Sequence, residues 1–427
     1  MTQLWNKVSA RFPALIAATL ITAASVPAPA VAQSYETGGI QLTFGVLLSS
    51  SAEDNRAMAS ESAGNSTEST ARLSLGLLSE TRTQRLALDL NGKLRALDMP
   101  DGSSQGNGFA DPGLSFSYDR SSINASLALS ASLRESELSQ DSLDEDGLDF
   151  VTGTATRRQT GAEASLNWGE NSPLGFGTFA RIQNTTYRDG TASGLDDTAL
   201  DDNTRRTLGA SARMNLDPVR RLELGLTWSD FEQDSVPGRR EALSLNTSVT
   251  QDLIAGTITA NLNITDTEDG ERYSATVGRS RALPLGSLSG QIGLSRSASG
   301  DTYLSGGLDL SRDLVRGALT FGLSRAVSSS DTEDNEVLRT RASLGLTQDL
   351  TPVSGIRFGL NVSQSEETAS GAETSGADFG VTYNRELPSD WTFATGYNHR
   401  IREADSGDTA RSNRVFLQLQ RSFVTRF

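Results

Sequence analysis

The sequence predicts an all-β chain folded as one closed antiparallel meander. Three observations carry that reading. Apolar and polar residues alternate with period two along most of the chain, almost no stretch follows a helical period, and the connections alternate between short and long. Successive side chains of a strand point to opposite faces, so each run has one apolar and one polar face.

The runs repeat from one end of the chain to the other. In "GIQLTFGVLL", Ile40, Leu42, Phe44, Val46 and Leu48 oppose Gln41, Thr43 and Gly45. In "ARLSLGLL", Leu73, Leu75 and Leu77 oppose Arg72, Ser74 and Gly76. "INASLALSASLR" (from Ile123), "GTITANLNIT" (from Gly256) and "GIRFGLNVS" (from Gly355) keep the pattern. About twenty strands are expected, within 18–22, near 38–49, 70–79, 84–95, 111–119, 121–135, 157–168, 173–187, 204–216, 220–231, 240–251, 255–265, 271–282, 286–297, 301–312, 315–328, 336–349, 354–365, 374–386, 390–402 and 411–427.

The connections fall into two sets. One set is tight and similar in form: "DPVRR", "QDLIAG", "RALPLG", "RDLVRG", "QDLTPVSG", "RELPSD". The other is longer and acidic, including "DSLDEDGLD" (141–149), "LDDTALDD" (195–202), "DTEDGE" (266–271) and "DTEDNE" (331–336). Short turns at one end and long loops at the other describe an up-and-down meander with two different ends.

The first 32 residues stand apart. Lys7 and Arg11 precede a mostly apolar stretch from Phe12 to Val26, and Ala30-Val31-Ala32 forms a small-x-small site before Gln33. This is the pattern of a cleaved secretory signal peptide, too short and too proline-interrupted for a membrane anchor. Removing it leaves 395 of the 427 residues as a single domain, 33–427. That part carries 36 Lys and Arg against 53 Asp and Glu, a net charge of −17, which argues against nucleic acid as a partner. The absence of Cys rules out disulfides and thiolate metal sites, and no cofactor is expected.

The apolar face needs a solvent. A soluble sandwich or solenoid packs such faces together, whereas a transmembrane barrel turns them to lipid. Runs of 10–13 residues exceed the ~5–6 of soluble sheets and suffice for a tilted span of a bilayer. The polar face is rich in Ser, Thr, Asn and Gly, which suits a wet lumen. Aromatic girdles are thin: Trp168 and Trp391 fall beside short turns, Trp228 near the other end, and Tyr118, Tyr273, Tyr383 and Tyr397 share the lipid-facing phase.

The chain ends "RVFLQLQRSFVTRF", with Val415, Leu417, Leu419, Phe423 and Phe427 on one face. This ending resembles the C-terminal signature strand of Gram-negative outer-membrane β-barrels, and departs from it at Arg421 and Thr425. The resemblance implies a transmembrane up-and-down barrel in the outer membrane, with short periplasmic turns and long extracellular loops. It also implies that Phe423 and Phe427 form the signal read by the barrel-assembly machinery.

The function expected is that of a passive, porin-like channel for small hydrophilic solutes. By phase, Arg72, Asp89, Lys93, Arg134, Glu163, Arg181, Arg213, Glu223, Asp309, Arg339, Arg341, Arg357, Asp378, Arg400 and Arg402 point inward. Arg339, Arg341 and Arg357, on neighbouring strands, are the expected pore-lining selectivity group, and inward arginines favour anionic solutes. The alternative is a non-channel structural, adhesive or polysaccharide-export-associated barrel acting through its acidic loops. Those loops would bridge to lipopolysaccharide through divalent cations. None is an EF-hand: the frame starting at Ser142 puts Gly153 where the bidentate Glu belongs. The first run starts a few residues past the cleavage site, which leaves no room there for the plug of ligand-gated transporters. An enzyme is not expected, because the single His, His399, lies in the lipid-facing phase without the motif of the outer-membrane phospholipase family. The cleavage reading predicts that the exported protein begins at Gln33, which intact-mass analysis of the membrane-inserted form checks.

Overall fold

The computed structural model describes residues 39–427 apart from 57, 101–106, 138–151, 154, 189–191, 194–200, 235–237, 269, 330–335, 369 and 404–406. The signal segment and the 141–149 loop therefore lie outside the described residues. Twenty strands form one sheet: β1 (Gly39–Glu53), β2 (Ser66–Glu80), β3 (Gln84–Asp98), β4 (Gly108–Ser121), β5 (Ala125–Glu137), β6 (Thr156–Trp168), β7 (Leu174–Arg188), β8 (Asn203–Asp217), β9 (Arg220–Gln233), β10 (Arg239–Leu253), β11 (Gly256–Thr267), β12 (Gly270–Leu283), β13 (Gly286–Arg296), β14 (Thr302–Leu314), β15 (Gly317–Ser329), β16 (Glu336–Thr351), β17 (Ser354–Glu367), β18 (Glu373–Leu387), β19 (Trp391–Glu403) and β20 (Thr409–Arg426). All twenty expected runs are strands.

Each strand pairs antiparallel with its neighbours in sequence, and β1 pairs with β20, so the sheet closes. The closing register runs from Gln41 opposite Arg426 to Glu53 opposite Arg414. Phe427 completes the seam: its N–H donates to Ile40 O (2.8 Å), and its carbonyl accepts from Ile40 N (3.2 Å). In hydrocarbon no water satisfies a free sheet edge, so this closure is what allows the sheet to span a membrane.

The turns at one end hold two to five residues, and both Gly39 and Phe427 lie at that end. The strands run further toward the loop end than the alternation indicates; β1 continues to Glu53 and β2 begins at Ser66. Polar residues there lose the apolar rhythm but keep the ladder, because Ser51 pairs with both Glu68 and Phe416. A two-residue ladder pairs Thr152 with Ser193 and Gly153 with Ala192, and so joins the connection before β6 to the one before β8.

The barrel is inverted relative to a water-soluble protein. Large apolar side chains stand on its outer surface, such as Leu73, Ile292 (63 % exposed) and Leu304, while Glu68, Lys93 and Ser412 are buried inside. Lipid covers the first set and the wall holds the second. Trp168 closes β6 and Trp391 opens β19 at the short-turn rim, as their phase predicts. Arg421, which departs from the signature strand, lies over the rings of Phe423 (4.5 Å) and Trp391 (5.9 Å). Phe423 also faces Phe44 across the seam, with ring centroids 6.1 Å apart.

The recurring glycine after the short turns has a steric cause. Gly286 and Gly317 have φ of 135° and 148°, and a Cβ on either would lie 1.9 Å from a carbonyl oxygen of the adjoining strand. Neither position admits a side chain without moving backbone. Gly286→Ala or Gly317→Ala is expected to cost about 1–3 kcal/mol and to lower the temperature at which the heat-modifiable barrel unfolds on gels. Gly359→Ala, whose Cβ would meet nothing within 4 Å, is expected to leave that temperature unchanged.

Candidate functional site: the lumen wall

The inner wall is built from the polar phase of every strand. Its densest charge lies toward the loop end on the arc from β18 through the seam to β5. Glu53 accepts from Ser412 Oγ (2.7 Å) and pairs with Arg400 (3.3 Å), two strands away across the concave surface. Arg414 Nη2 donates to Ser51 Oγ (3.3 Å). Glu68 accepts from Arg56 Nη1 (3.0 Å) and stands 3.8 Å from Lys93 Nζ. Lys93, only 1 % exposed, completes its pairing with Asp111.

Local backbone features place these groups. Between Asn91 and Lys93 the β3–β4 register slips, leaving Asp111 as the extra residue, with φ of 48°. This bulge brings the Asp111 carboxylate to Lys93. Arg56 comes from the connection after β1, which is fastened to β20. Asn55 Nδ2 donates to Arg411 O (2.9 Å) and Ala59 O (2.7 Å), and the amide of Asn413 donates to Asp54 (2.6 Å). The sequence offers only "EDN" here, a turn signal, and nothing in it marks the segment as folding against the wall.

Arg72, opposite Lys93, Arg95, opposite Thr70, and Arg134, opposite Gly113, join the same arc, as does Arg402, opposite Gly376. Among the described residues the arc sets eight cations (Arg56, Arg72, Lys93, Arg95, Arg134, Arg400, Arg402, Arg414) against four carboxylates (Glu53, Glu68, Asp111, Asp378). An acidic chain thus has a cationic excess on this part of its inner wall.

The expected selectivity group does not assemble. Arg339 and Arg341 lie toward the loop end, opposite Ser365 and Ser363. Arg357 lies opposite Thr347, six residues further along β16, about 20 Å away at strand rise. Neighbouring strands in an antiparallel sheet run in opposite directions, so closeness in sequence and strand order did not mean equal height.

The rest of the wall is milder. Arg181 pairs with Glu163 at 2.6 Å while its side chain stays 54 % exposed, and Arg213 donates to the carbonyls of Gly169 (3.0 Å) and Glu170 (2.6 Å). Ser130, Ser132, Arg134, Gln159 and Gly161 line a groove of about 360 Å³. From β10 to β12 hydroxyls and amides bond across strands, as in Thr257–Ser280 (2.9 Å), Ser244–Thr265 (2.9 Å) and Asn261–Thr276 (3.3 Å). Inward aromatics lie flat where glycine makes room: Phe179 covers Gly209 and Phe416 covers Gly396. At the loop-end rim Glu336 holds Arg272 (2.6 Å) and the N–H of Ala298 (3.1 Å).

His399 stands on the outer face beside Tyr397. Its Nδ1 and the Tyr397 hydroxyl both meet Asn413 Oδ1, at 2.8 and 2.6 Å. Its outward neighbours on β19 are Tyr397 and Ile401.

Comparison with solved structures agrees on architecture. The siderophore receptor PirA from Acinetobacter baumannii superposes with a TM-score of 0.55 at 10 % identity, over 92 % of this chain and 81 % of that one. The FrpB iron transporter from Neisseria meningitidis gives 0.56 at 9 %, over 91 % and 81 %. The fold is that of an outer-membrane β-barrel. OccK9 from Pseudomonas aeruginosa aligns over 92 % of this barrel and 99 % of its own chain at 15 % identity, with a TM-score of 0.43. At such identities the likeness is one of fold alone. No protein-family model matches the barrel, and no curated protein matches it in sequence.

Lys93 is the test of the charged arc. Lys93→Met leaves Asp111 without its cation, and is expected to destabilise the barrel by about 3–5 kcal/mol in denaturant titrations followed by Trp fluorescence. Adding Asp111→Asn is expected to recover part of that loss.

Proposed function

We propose that this barrel is a passive pore for small hydrophilic solutes, exported with its first 32 residues as a cleaved signal. Phe423 and Phe427 then serve as the ending read by the assembly machinery. The observation that carries the pore reading is the solvent exposure of charged side chains along the inner wall, from its short-turn end to its loop end. Arg181 is 54 % exposed, Glu223 is 53 % exposed, and Arg134, Asp309 and Arg357 are exposed as well. Exposed charges on a wall are stabilised by the water that reaches them, so this pattern fits a water-filled lumen. Twenty strands also enclose more than the 16–18 that already leave an aqueous channel.

The cationic excess of the charged arc gives such a pore a preference for anions. The first connection narrows the lumen on that side, because Arg56 is held against Glu68. A hydrated anion passing there meets guanidinium groups on one side. The β10–β12 wall offers it hydroxyls and amides.

Purified barrel in a planar bilayer is expected to give large, stable current steps. The reversal potential in a KCl gradient is expected to favour chloride, and Arg134→Glu to shift it toward potassium. A folded, heat-modifiable barrel that passes no current overturns the pore reading.

A further inference from the structure

The short turns carry a pattern that the pore does not use. Five strands carry nearly the same tripeptide at or one residue before their short-turn end: Gln251-Asp252-Leu253, Arg281-Ala282-Leu283, Arg312-Asp313-Leu314, Gln348-Asp349-Leu350 and Arg385-Glu386-Leu387. By register the first and third residues face outward and the middle one inward. The outward position is level with the preceding turn: Arg281 stands opposite Gly256, Arg312 opposite Gly286 and Arg385 opposite Ser354. It therefore marks the edge of the lipid-facing apolar band.

The rim that carries these side chains is latched from hairpin to hairpin. The N–H of the middle residue donates to a carbonyl of the previous turn: Asp252 to Val219 (2.7 Å), Asp313 to Leu285 (3.0 Å), Asp349 to Arg316 (2.9 Å) and Glu386 to Val353 (2.8 Å). The outward residues are thus held at fixed places around the barrel. Apolar turn tips stand just beyond them, with Ile254 and Val315 fully exposed.

We propose that this outward belt binds the phosphate groups of anionic phospholipids in the leaflet at the short-turn end. Arg281, Arg312 and Arg385 are exposed and, among the described residues, none forms an ion pair with a carboxylate. Two outward arginines at the loop end are already engaged by carboxylates: Arg158 pairs with Glu135 (2.7 Å) and Arg206 with Asp230 (2.6 Å). An arginine on a lipid-facing surface extends its stem along apolar neighbours and carries its head to the interface. The guanidinium fork there matches a phosphate bidentately. Arg421, stacked on Phe423 and Trp391, continues the belt to the seam. Arginine heads between leucines and exposed turn tips so supply the anchoring that the sparse aromatic girdle leaves short.

The test uses the mature full-length protein purified from vesicles of equal phosphatidylglycerol and phosphatidylcholine, with retained lipid read by native mass spectrometry. The probe variant is Arg281→Gln/Arg312→Gln/Arg385→Gln, a change the fold accepts because Gln251 and Gln348 already occupy equivalent places. The wild type is expected to retain phosphatidylglycerol preferentially, by roughly fivefold per engaged arginine. The triple variant is expected to lose that preference, and about 0.5 M NaCl to weaken it in the wild type. An unchanged preference in the triple variant overturns the proposal, as does a loss produced instead by Arg158→Gln/Arg206→Gln. Should the triple variant not fold, a wild-type preference that is insensitive to salt overturns it equally. Current measurements play no part in this readout, so it stands or fails apart from the pore.

Discussion

Backbone hydrogen bonding in a solvent that offers none governs this structure. A strand in hydrocarbon must find both of its neighbours within the protein, because an unpaired N–H or C=O there costs several kcal/mol. The first and last strands are the ones at risk, and the β1–β20 ladder removes that risk along its length. Phe427 belongs to this seam: its backbone closes on Ile40, and Phe423 faces Phe44 four residues earlier. An aromatic chain end that would be idle in water thus completes the closure, with Arg421 lying over Phe423 and Trp391 beside it.

Closure with apolar residues outside forces the polar residues inside, where they solve a second problem. Lys93, Glu68 and Glu53 are nearly inaccessible, yet each has an oppositely charged partner within the arc around the seam. Burying such groups is tolerable only with partners in good geometry. The β4 bulge and the fastened first connection supply that geometry, by bringing Asp111 to Lys93 and Arg56 to Glu68. Elsewhere on the wall the same need is met by neutral hydroxyls and amides. The inner surface therefore has two chemically distinct sides.

The two ends of the barrel are stabilised differently. At the loop end, some outward charges meet each other, as in Arg158–Glu135 and Arg206–Asp230. At the short-turn end, backbone latches hold a ring of hairpins, and Arg281, Arg312 and Arg385 stand without carboxylates while Arg220 keeps Asp217. The net negative charge of the chain describes neither the arc inside nor this rim.

Strand number, strand faces and the two-ended meander were legible in the sequence because they follow from local chemistry. Period two is a property of neighbouring residues, and Gly256, Gly286 and Gly317, each opening a strand after a short turn, answer a clash with the adjoining strand. The inward phase of Lys93, Arg134 and Arg181 was legible for the same reason. Which inward groups meet was not. Arg339 and Arg341 share a face with Arg357 on the next strand yet lie far from it, while Arg400 and Glu53, at opposite ends of the chain, touch. Height along a barrel is set by pairing register, bulges and closure, which belong to pairs of strands and to the ring as a whole. The sequence alone therefore determined what each strand shows to lipid and to lumen, and only the closed sheet decided which of those side chains face one another.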